Sequence, residues 1–237
     1  MRYVALATDY DGTLATEGVV TDSTIAALER FIATGRKVVL VTGRQLDDLA
    51  QVFAHIGLFS RVIAENGAVL FTPATNEVRV LDDPPSPRFV DALLRKGVEP
   101  ISQGRVIVAT RQPFQDVVME TIREMGLALH VEFNKGAVMV LPTSTTKRTG
   151  LAAALEDMRL SPHGVIGVGD GENDQSLLSL CEFAVSVANA LPSLKQRSDW
   201  VTPSPEGKGV EELIAAVLAD DLQSLPTNPE RPRFPLG

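Results

Sequence analysis

The sequence predicts an α/β protein made of two units, a doubly wound parallel-sheet core and a smaller α+β cap inserted into it. Apolar runs alternate with helical patterns in the first third of the chain, and this alternation returns after Pro142. The segment between these two regions has a different pattern of apolar residues and begins at a proline-rich stretch. Because repeated strand–helix–strand units require right-handed crossovers, the core sheet is expected to be parallel and Rossmann-like.

The first part of the core contains three strand-like apolar runs separated by two helical patterns. In chain order these segments are Tyr3–Thr8, "TDSTIAALERFIATG", "KVVLVTG", "RQLDDLAQVFAHIG" and "RVIAENGAVLF". Thr21 or Ser23 can cap the first helix, and Gly35 can end it. The second strand is apolar without alternation, which predicts burial on both of its faces. Asn66–Gly67 predicts a turn after the third strand.

Three prolines in "LDDPPSPRF" predict the start of the inserted cap. Its regular segments are the strand "RVIVAT", the helix "PFQDVVMETIREMG" and the strands "ALHVEF" and "AVMVLP". Pro113 suits the first turn of that helix and Gly126 suits its end. The last two strands are expected to pair as an antiparallel hairpin around Asn134–Gly136. This mixture of helix and antiparallel strands predicts an α+β cap.

The core pattern resumes after Pro142. Its segments are the helix "TKRTGLAAALEDMRL", the strand "GVIGVGD", a helix in "ENDQSLLSL", the strands "FAVSV" and "DWVT", and the helix "GVEELIAAVLA". We therefore predict a core of residues 1–81 and 144–220 and a cap of residues 82–143. The proline-rich stretch of residues 221–237 lacks periodicity, which predicts a flexible tail.

Composition and charge argue against several classes of function. The chain of 237 residues has a net charge of −8, so neither nucleic acid nor an anionic membrane is expected as a partner. The single cysteine, Cys181, excludes an internal disulfide and is expected to be a packed, unreactive thiol. The N-terminal segment becomes acidic too early for a signal peptide, and no apolar run approaches a membrane span. We therefore expect a cytoplasmic monomer or homodimer that binds a small molecule.

Two aspartates follow the first predicted strand, in "TDYDGTL". Asp9 and Asp11 begin on the same side of the strand, because successive side chains alternate between its faces. Carboxylates this close repel one another, so either one stays protonated or a cation binds between them. The alternative is a capped turn, in which the aspartates accept backbone N–H bonds and Gly12 takes a positive φ.

Two further stretches have features of a phosphate site. Thr42 ends a buried strand, and Gly43 lets a ligand approach the backbone, so a hydroxyl and free N–H groups meet there. Arg44 is placed to reach a substrate. Lys147 stands at the start of a helix, where its charge opposes the helix dipole, and this indicates a duty such as neutralising phosphate. The simpler alternatives are helix capping by Thr42 and solvent-exposed basic side chains.

The most informative stretch is "VGDGENDQSLL". Asp170 follows an apolar strand and Asp174 comes one helical turn later, so both carboxylates can converge on one cation. Acidic oxygen ligands favour Mg²⁺. A calcium-binding EF-hand is disfavoured, because a strand rather than a helix precedes the stretch. In an open parallel sheet, the carboxyl ends of the strands form the edge where ligands bind.

In this order, "DYDGTL", "VTGR", Lys147 and "GDGEND" resemble the four motifs of the haloacid dehalogenase-like phosphatase superfamily. The position of the cap, "AENGA" after the third strand, and "VANA" are similar to the Cof-type branch, which has a type II cap. The short cap resembles that of archaeal-type phosphoglycolate phosphatases, and sucrose-phosphate phosphatases share the layout. The resemblance covers nearly all of residues 1–218.

The resemblance implies a role for each motif residue. Asp9 would attack phosphorus and form an aspartyl-phosphate, and Asp11 would act as general acid and then general base. Mg²⁺ would be held by the Asp9 carboxylate, the Asp11 main-chain carbonyl, Asp170 and Asp174. Phosphate would be held by Thr42, Gly43 and Lys147, while Asn173 and Asn189 would shape the loop or contact phosphate.

The implied activity is that of a Mg²⁺-dependent phosphomonoesterase acting on a small metabolite, of the phosphoglycolate or sugar phosphate class. Two alternatives stay open, a phosphomutase of the phosphomannomutase type and a catalytically inactive binding protein. The motifs do not predict which ester is the substrate. The cap residues Phe133–Lys135, Arg111 and His130 are candidates for facing it, and the direction of Arg148 is open.

Overall fold

The computed structural model describes residues 1–225, whose strands form a main sheet of eight strands and a second sheet of four. In spatial order the main sheet contains β12 (Trp200–Val201), β11 (Phe183–Ser186), β10 (Val165–Gly169), β1 (Ala5–Thr8), β2 (Lys37–Val41), β3 (Arg61–Ala64), β4 (Val69–Thr72) and β5 (Glu77–Val80). The strands from β12 to β3 are parallel. β4 and β5 extend this sheet as an antiparallel edge.

Helices cover the main sheet and pack against the second one. They are α1 (Asp22–Ala33), α2 (Leu46–Val52), α3 (Pro87–Arg95), α4 (Gln115–Glu124), α5 (Lys147–Asp157), α6 (Asp174–Leu180), α7 (Pro192–Lys195) and α8 (Glu206–Asp220). α1 packs against α8, and α5 packs against α6. β1 is buried along its whole length at the centre of the main sheet. This architecture confirms the predicted α/β fold with a doubly wound parallel core.

The second sheet is antiparallel throughout, in the order β6 (Ser102–Gln103), β7 (Val108–Arg111), β9 (Ala137–Pro142) and β8 (Leu129–Asn134). Together with α3 and α4 it forms the unit that we call the cap, and the rest we call the core. The cap has its own apolar cluster, which includes Phe89, Leu93 and Val118. The predicted hairpin of β8 and β9 is confirmed. The predicted boundaries between core and cap stay predictions.

Several elements differ from those predicted, each for a local reason. α2 is shorter than the pattern suggested, because Phe53 leaves helical geometry and packs into the core. α3 begins inside the proline-rich stretch, since Pro87 at its first turn needs no N–H partner. α4 begins at Gln115, after Pro113 rather than on it. β5, β6 and α7 are short elements that the patterns did not indicate.

Thr21, rather than Ser23, caps α1, and its hydroxyl accepts the N–H of Thr24 at 3.3 Å. The first residues of the predicted tail contact the core, where Asp221 accepts a bond from Arg36 at 2.6 Å. Residues 226–237 of that predicted tail lie outside the described part of the chain. Within residues 1–225, no helix combines the length and the apolar composition that crossing a membrane requires. The cytoplasmic location and the oligomeric state stay predictions.

Candidate active site

The predicted site residues meet at one edge of the main sheet. Asp9 follows β1, Thr42 follows β2 and Asp170 follows β10, and these three strands are neighbours. Parallel neighbours end at the same edge, so residues that are far apart in the chain become adjacent in space. The cap lies beside this edge and completes the wall of a cavity there.

Lys147 lies at the centre of the site and is fully buried at the first turn of α5. Its Nζ donates to Asp9 Oδ1 at 2.6 Å and to Asp174 Oδ1 at 2.7 Å. The alternative of a solvent-exposed lysine is therefore wrong. A buried ammonium is tolerated only when it is paired, and here two carboxylates balance it.

The same contacts shift the ionisation of these groups. Burial and the charge of Asp174 raise the pKa of Asp9 to about 7, and Lys147 opposes that rise. Desolvation lowers the pKa of Lys147, but Asp174 and Asp9 outweigh desolvation and hold the pKa above its ordinary value. Lys147 therefore stays charged at neutral pH. Strongly perturbed groups that share a cleft are typical of functional sites.

Three carboxylates face a common point. Asp9, Asp170 and Asp174 each offer an oxygen atom, and these oxygens lie within 4.8 Å of one another. Asp174 Oδ2 accepts the N–H groups of Asp170 and Gly171, both at 2.9 Å. Burial and the charge of Asp174 raise the pKa of Asp170, and the ammonium of Lys135 opposes this. The buried cluster has the oxygen donors that a hard divalent cation requires.

Asp11 points away from that cluster and is held by Arg44. The Arg44 Nε donates to Asp11 Oδ2 at 2.6 Å, and its Nη2 donates to Asp11 Oδ1 at 2.7 Å. The guanidinium also lies over the Tyr10 ring, 5.4 Å from its centroid. Asp9 and Asp11 are thus in different electrostatic surroundings despite being two positions apart. Arg44, predicted to reach substrate, orients Asp11 through a bidentate pair.

Three of the predicted phosphate-binding residues, Thr42, Gly43 and Asn173, contact other residues of the site. The Thr42 hydroxyl accepts the Arg44 N–H at 3.1 Å within the turn after β2, whereas the N-cap of α2 is Gln45, so the alternative of helix capping by Thr42 is wrong. A Cβ on Gly43 would lie 3.0 Å from Asn66 Oδ1, a tight contact that favours glycine there. Asn173 donates to Asn66 Oδ1 at 3.0 Å.

Asn189 lies outside the cluster and braces the loop after β1. Its Nδ2 donates to the Gly12 carbonyl at 2.8 Å, and its Oδ1 accepts the Glu206 N–H at 2.9 Å. These contacts are of the kind expected for the loop-shaping role, and contact with phosphate stays a prediction. Arg148 points away from the cluster, and its Nη1 donates to the Ser179 hydroxyl at 2.9 Å.

Sequence reasoning missed Glu65, which joins the core to the cap. Its carboxylate is buried and accepts the N–H groups of Arg105, Val106 and Ile107 at 2.8–2.9 Å. These bonds explain why β7 begins at Val108 instead of Arg105. Glu65 has a φ of +53°, which is unusual for a residue with a side chain and marks the segment as specialised. The sequence signal for Glu65 was the segment "AENGA", which contributed only to the family resemblance.

A cavity of about 310 Å³ lies between the core and the cap. Its core wall includes Asp9, Asp11 and Thr42, and its cap wall includes Ile107 and Met139. The volume suits a small ligand, and the charged residues that line it are Asp9, Asp11, Arg44 and Asp48.

Three further residues were singled out from the sequence: His130, Arg111 and Cys181. His130 contacts the Pro142 carbonyl at 3.0 Å and Glu132 at 3.5 Å, and the bond to Glu132 raises the pKa of His130. Arg111 is exposed at the end of β7. Burial raises the pKa of Cys181 to about 12, and its sulfur packs against Gly167, as expected for an unreactive thiol.

Comparisons with curated proteins identify relatives over most of the chain. The chain is 33% identical over 219 residues to the phosphoglycolate phosphatase of Methanothermobacter thermautotrophicus, covering 89% of this chain and 96% of that protein. It is 32% identical over 219 residues to the phosphoglycolate phosphatase of Haloarcula marismortui, covering 89% of this chain and 95% of that protein.

Solved structures share the same fold. Protein 0175 of Thermoplasma acidophilum has a TM-score of 0.79 at 16% identity, covering 91% of this chain and 98% of that one. A haloacid dehalogenase-like hydrolase from Bacteroides thetaiotaomicron has a TM-score of 0.77 at 18% identity, covering 91% of this chain and 99% of that one. The profile of the haloacid dehalogenase-like hydrolases matches residues 6–99 and 103–214. The resemblance of the four motifs is therefore confirmed, and the chain belongs to the haloacid dehalogenase-like hydrolase family.

Proposed function

We propose that this hydrolase is a Mg²⁺-dependent phosphomonoesterase that works through an aspartyl-phosphate on Asp9. The observation that carries the proposal is the fully buried Lys147, bonded to Asp174 and to Asp9, which lines the cavity. A phosphate ester brings negative charge to an attacking carboxylate, so the site needs a fixed positive charge. The relatives named phosphoglycolate phosphatase support the same reaction class.

The donor set fits Mg²⁺. All the candidate ligand atoms are oxygens, and the Lys135 ammonium already lies 2.9 Å from the Asp11 carbonyl and 3.0 Å from Asp170 Oδ2. A cation is therefore accommodated by the oxygens that the resemblance assigns to the metal. Asp9, the Asp11 carbonyl and Asp170 would hold it. When bound, Mg²⁺ supplies positive charge to the phosphoryl oxygens and to the attacking carboxylate.

Asp174 has a supporting part in this proposal. Its two oxygens already accept three hydrogen bonds, from Lys147, Asp170 and Gly171. A carboxylate so occupied places Lys147 against Asp9 and holds the loop after β10 in position. Its contribution to metal binding is thus mainly through the orientation of Asp170, as expected of a residue that supports direct ligands.

Each catalytic aspartate has surroundings suited to its part. Asp9 would attack phosphorus in line with the leaving oxygen, and the charge on Lys147 would balance the transferring oxygens. The two bonds from Arg44 fix the carboxyl of Asp11 at the cavity wall, where it would protonate the leaving oxygen. The same carboxylate would then take a proton from the water that hydrolyses the aspartyl-phosphate.

The cavity supports a small, anionic substrate. Its volume of about 310 Å³ suits a small phosphorylated metabolite. Arg44, which lines the cavity, brings positive charge to Asp11 at its wall. We therefore propose phosphoglycolate as the first substrate to test, with sugar phosphates as the second class.

The experiment measures inorganic phosphate released from phosphoglycolate and from a panel of sugar phosphates, before and after removal of divalent cations. We expect release that EDTA abolishes and Mg²⁺ restores. Asp9→Asn should reduce release to background, because the amide keeps the shape of the side chain but loses the nucleophile. Asp83→Asn, an exposed position in the same chain, is the matched control and should behave as wild type.

Three outcomes would contradict the proposal. A panel without any phosphate release would favour the binding-protein alternative. Conversion of a sugar phosphate to its isomer without stoichiometric phosphate release would favour the phosphomutase. Near wild-type turnover by Asp9→Asn would exclude the aspartyl-phosphate on Asp9.

A further inference from the structure

Lys135 is the residue by which the cap reaches into the carboxylate cluster of the core. It lies in the loop between β8 and β9, and its Nζ donates to the Asp11 carbonyl at 2.9 Å. The same Nζ lies 3.0 Å from Asp170 Oδ2. The side chain is 54% exposed, whereas that of Asp170 is only 5% exposed, so the ammonium approaches the cluster from the solvent side.

The backbone at this position indicates that the side chain has a purpose. Lys135 and Gly136 form a two-residue hairpin loop with φ values of +48° and +87°. Loops of this kind favour asparagine or aspartate followed by glycine, because both central residues need positive φ. Lysine is therefore a poor choice for the turn itself. An unfavourable residue in a strained position is a reason to look for a role of its side chain.

The core leaves space for this ammonium. Gly12 has a φ of +83°, and a Cβ there would lie 2.3 Å from Lys135 Nζ and 2.5 Å from Asp170 Oδ2. Any other residue at position 12 would displace Lys135 or Asp170. The first motif thus accommodates a cation against its own main-chain carbonyl.

We propose that Lys135 and the divalent cation compete for the Asp11 carbonyl and the Asp170 carboxylate, so that the cap hairpin docks on the metal-free site and leaves it when the cation binds. The inference rests on the proposed function only for the presence of a divalent cation. An ammonium and a divalent cation on the same two oxygens would repel each other at contact distance, so each weakens the binding of the other. Lys135 is thus a positioning residue that couples metal binding to the position of the cap.

The competition predicts a tighter metal site when the ammonium is removed. A partly exposed ion pair is weak, so we expect the apparent Kd for Mg²⁺ to fall about two- to fivefold. Lys135→Asn is the first variant, because asparagine suits the positive φ but is too short to reach Asp170. Lys135→Met is the second variant and removes the charge with little change in side-chain length.

The test uses isothermal titration of metal-free protein with MgCl₂. The matched control is Lys96→Met, which removes another cap ammonium, one that pairs with Glu124 at 2.5 Å away from the site. Its Mg²⁺ affinity should equal that of wild type. If both Lys135 variants bind Mg²⁺ no more tightly than this control, the competition is excluded.

A second measurement separates competition from a general effect of charge. Hydrogen exchange of residues 131–139 in the wild-type protein should become faster when Mg²⁺ is added, because the hairpin loses its contact with the core. In Lys135→Met the exchange should already be fast and should not respond to Mg²⁺. An unchanged exchange rate in the wild-type protein would overturn the proposal.

These readouts are independent of phosphate release. If affinity and exchange respond as expected but no phosphate is released, the proposed function fails and the competition stands. If phosphate release depends on Mg²⁺ but neither readout responds, the competition fails and the proposed function stands. Wild-type protein that binds no Mg²⁺ would contradict both.

Discussion

At the scale of single residues, the site works because each charged group has a different set of partners. Asp9 is bonded to the buried Lys147, whereas Asp11 is held by the half-buried Arg44. Two chemically identical side chains, two positions apart, thereby have separate environments. Environment rather than residue type separates a nucleophile from an acid–base group.

Replacing Lys147 by methionine tests the buried charge. Lys147→Met leaves the carboxylates of Asp9 and Asp174 buried without their cation, so we expect a loss of about 3–5 kcal/mol in the free energy of unfolding. Chemical denaturation measures this loss. Lys208→Met, at a largely exposed lysine, is the control and should leave the transition almost unchanged. A Lys147→Met transition equal to that of wild type would show that the buried pairs contribute nothing to stability.

Replacing Arg44 tests the orientation of Asp11. Arg44→Met removes both bonds to the Asp11 carboxylate, and we expect kcat to fall by about 100-fold, since small misplacements of a catalytic group are costly. An ester with a good leaving group, such as p-nitrophenyl phosphate, should lose less, because its departure needs less help from an acid. Arg30→Met, an exposed position on α1, is the control. Equal losses for both kinds of ester would argue against a role through Asp11.

At the scale of elements, the loops at the strand ends are organised by buried polar side chains. Asn66 and Glu65 follow β3. Asn66 contacts Asn173 in the core and donates to Met139 Sδ in the cap, and Glu65 accepts the N–H groups of residues 105–107. Gln45 adds a further link to the cap by donating to the Ser102 hydroxyl at 2.7 Å. The position of the cap therefore depends on the segment that follows β3 as well as on the hairpin tip.

Replacing Glu65 tests this link. Glu65→Ala leaves three N–H groups of residues 105–107 without their acceptor, and we expect a loss of about 1–3 kcal/mol in the free energy of unfolding. Hydrogen exchange at residues 105–107 should become faster while exchange in β1 stays slow. Glu99→Ala, at an exposed position in the cap, is the control. Unchanged exchange at residues 105–107 would mean that other contacts hold this segment.

At the scale of the whole molecule, an acidic chain gathers positively charged side chains at one edge of its main sheet. The net charge is −8, yet Lys147, Arg44 and Lys135 all converge on the carboxylates of one sheet edge. A divalent cation bound there would stabilise the folded state, because the unfolded chain does not hold these oxygens together.

Metal-dependent stability follows from this arrangement. At a Mg²⁺ concentration about 100 times Kd, the folded state should gain about 2.7 kcal/mol. We expect the melting temperature of the wild-type protein to rise with Mg²⁺ and that of Asp170→Ala to rise much less. Asp116→Ala, on α4 of the cap, should respond as wild type. If Asp170→Ala keeps the full Mg²⁺-dependent rise, Asp170 is not a ligand.

Much of the fold follows from local patterns in the sequence. The continuous apolar run of β2 was predicted, and Thr21 was one of the two caps predicted for α1, because period and capping depend on near neighbours. The strands β5 and β6 were missed, because β5 has only four residues and is exposed along its length, and β6 has two residues. The start of β7 was misplaced because the backbone N–H groups at its predicted start bond to the carboxylate of Glu65, which is distant in the chain.

The sequence by itself determined the family and the motif residues, since four short motifs in order depend only on residue type and spacing. Only the tertiary structure decided how those residues are paired. The contacts of Arg44 with Asp11, of Lys147 with Asp9 and of Lys135 with Asp170 join residues that are far apart in the chain. Such pairs depend on the direction of each side chain at the sheet edge, and local sequence patterns do not encode that direction. The two aspartates of "TDYDGTL" could therefore be recognised from the sequence, but their separate surroundings could not.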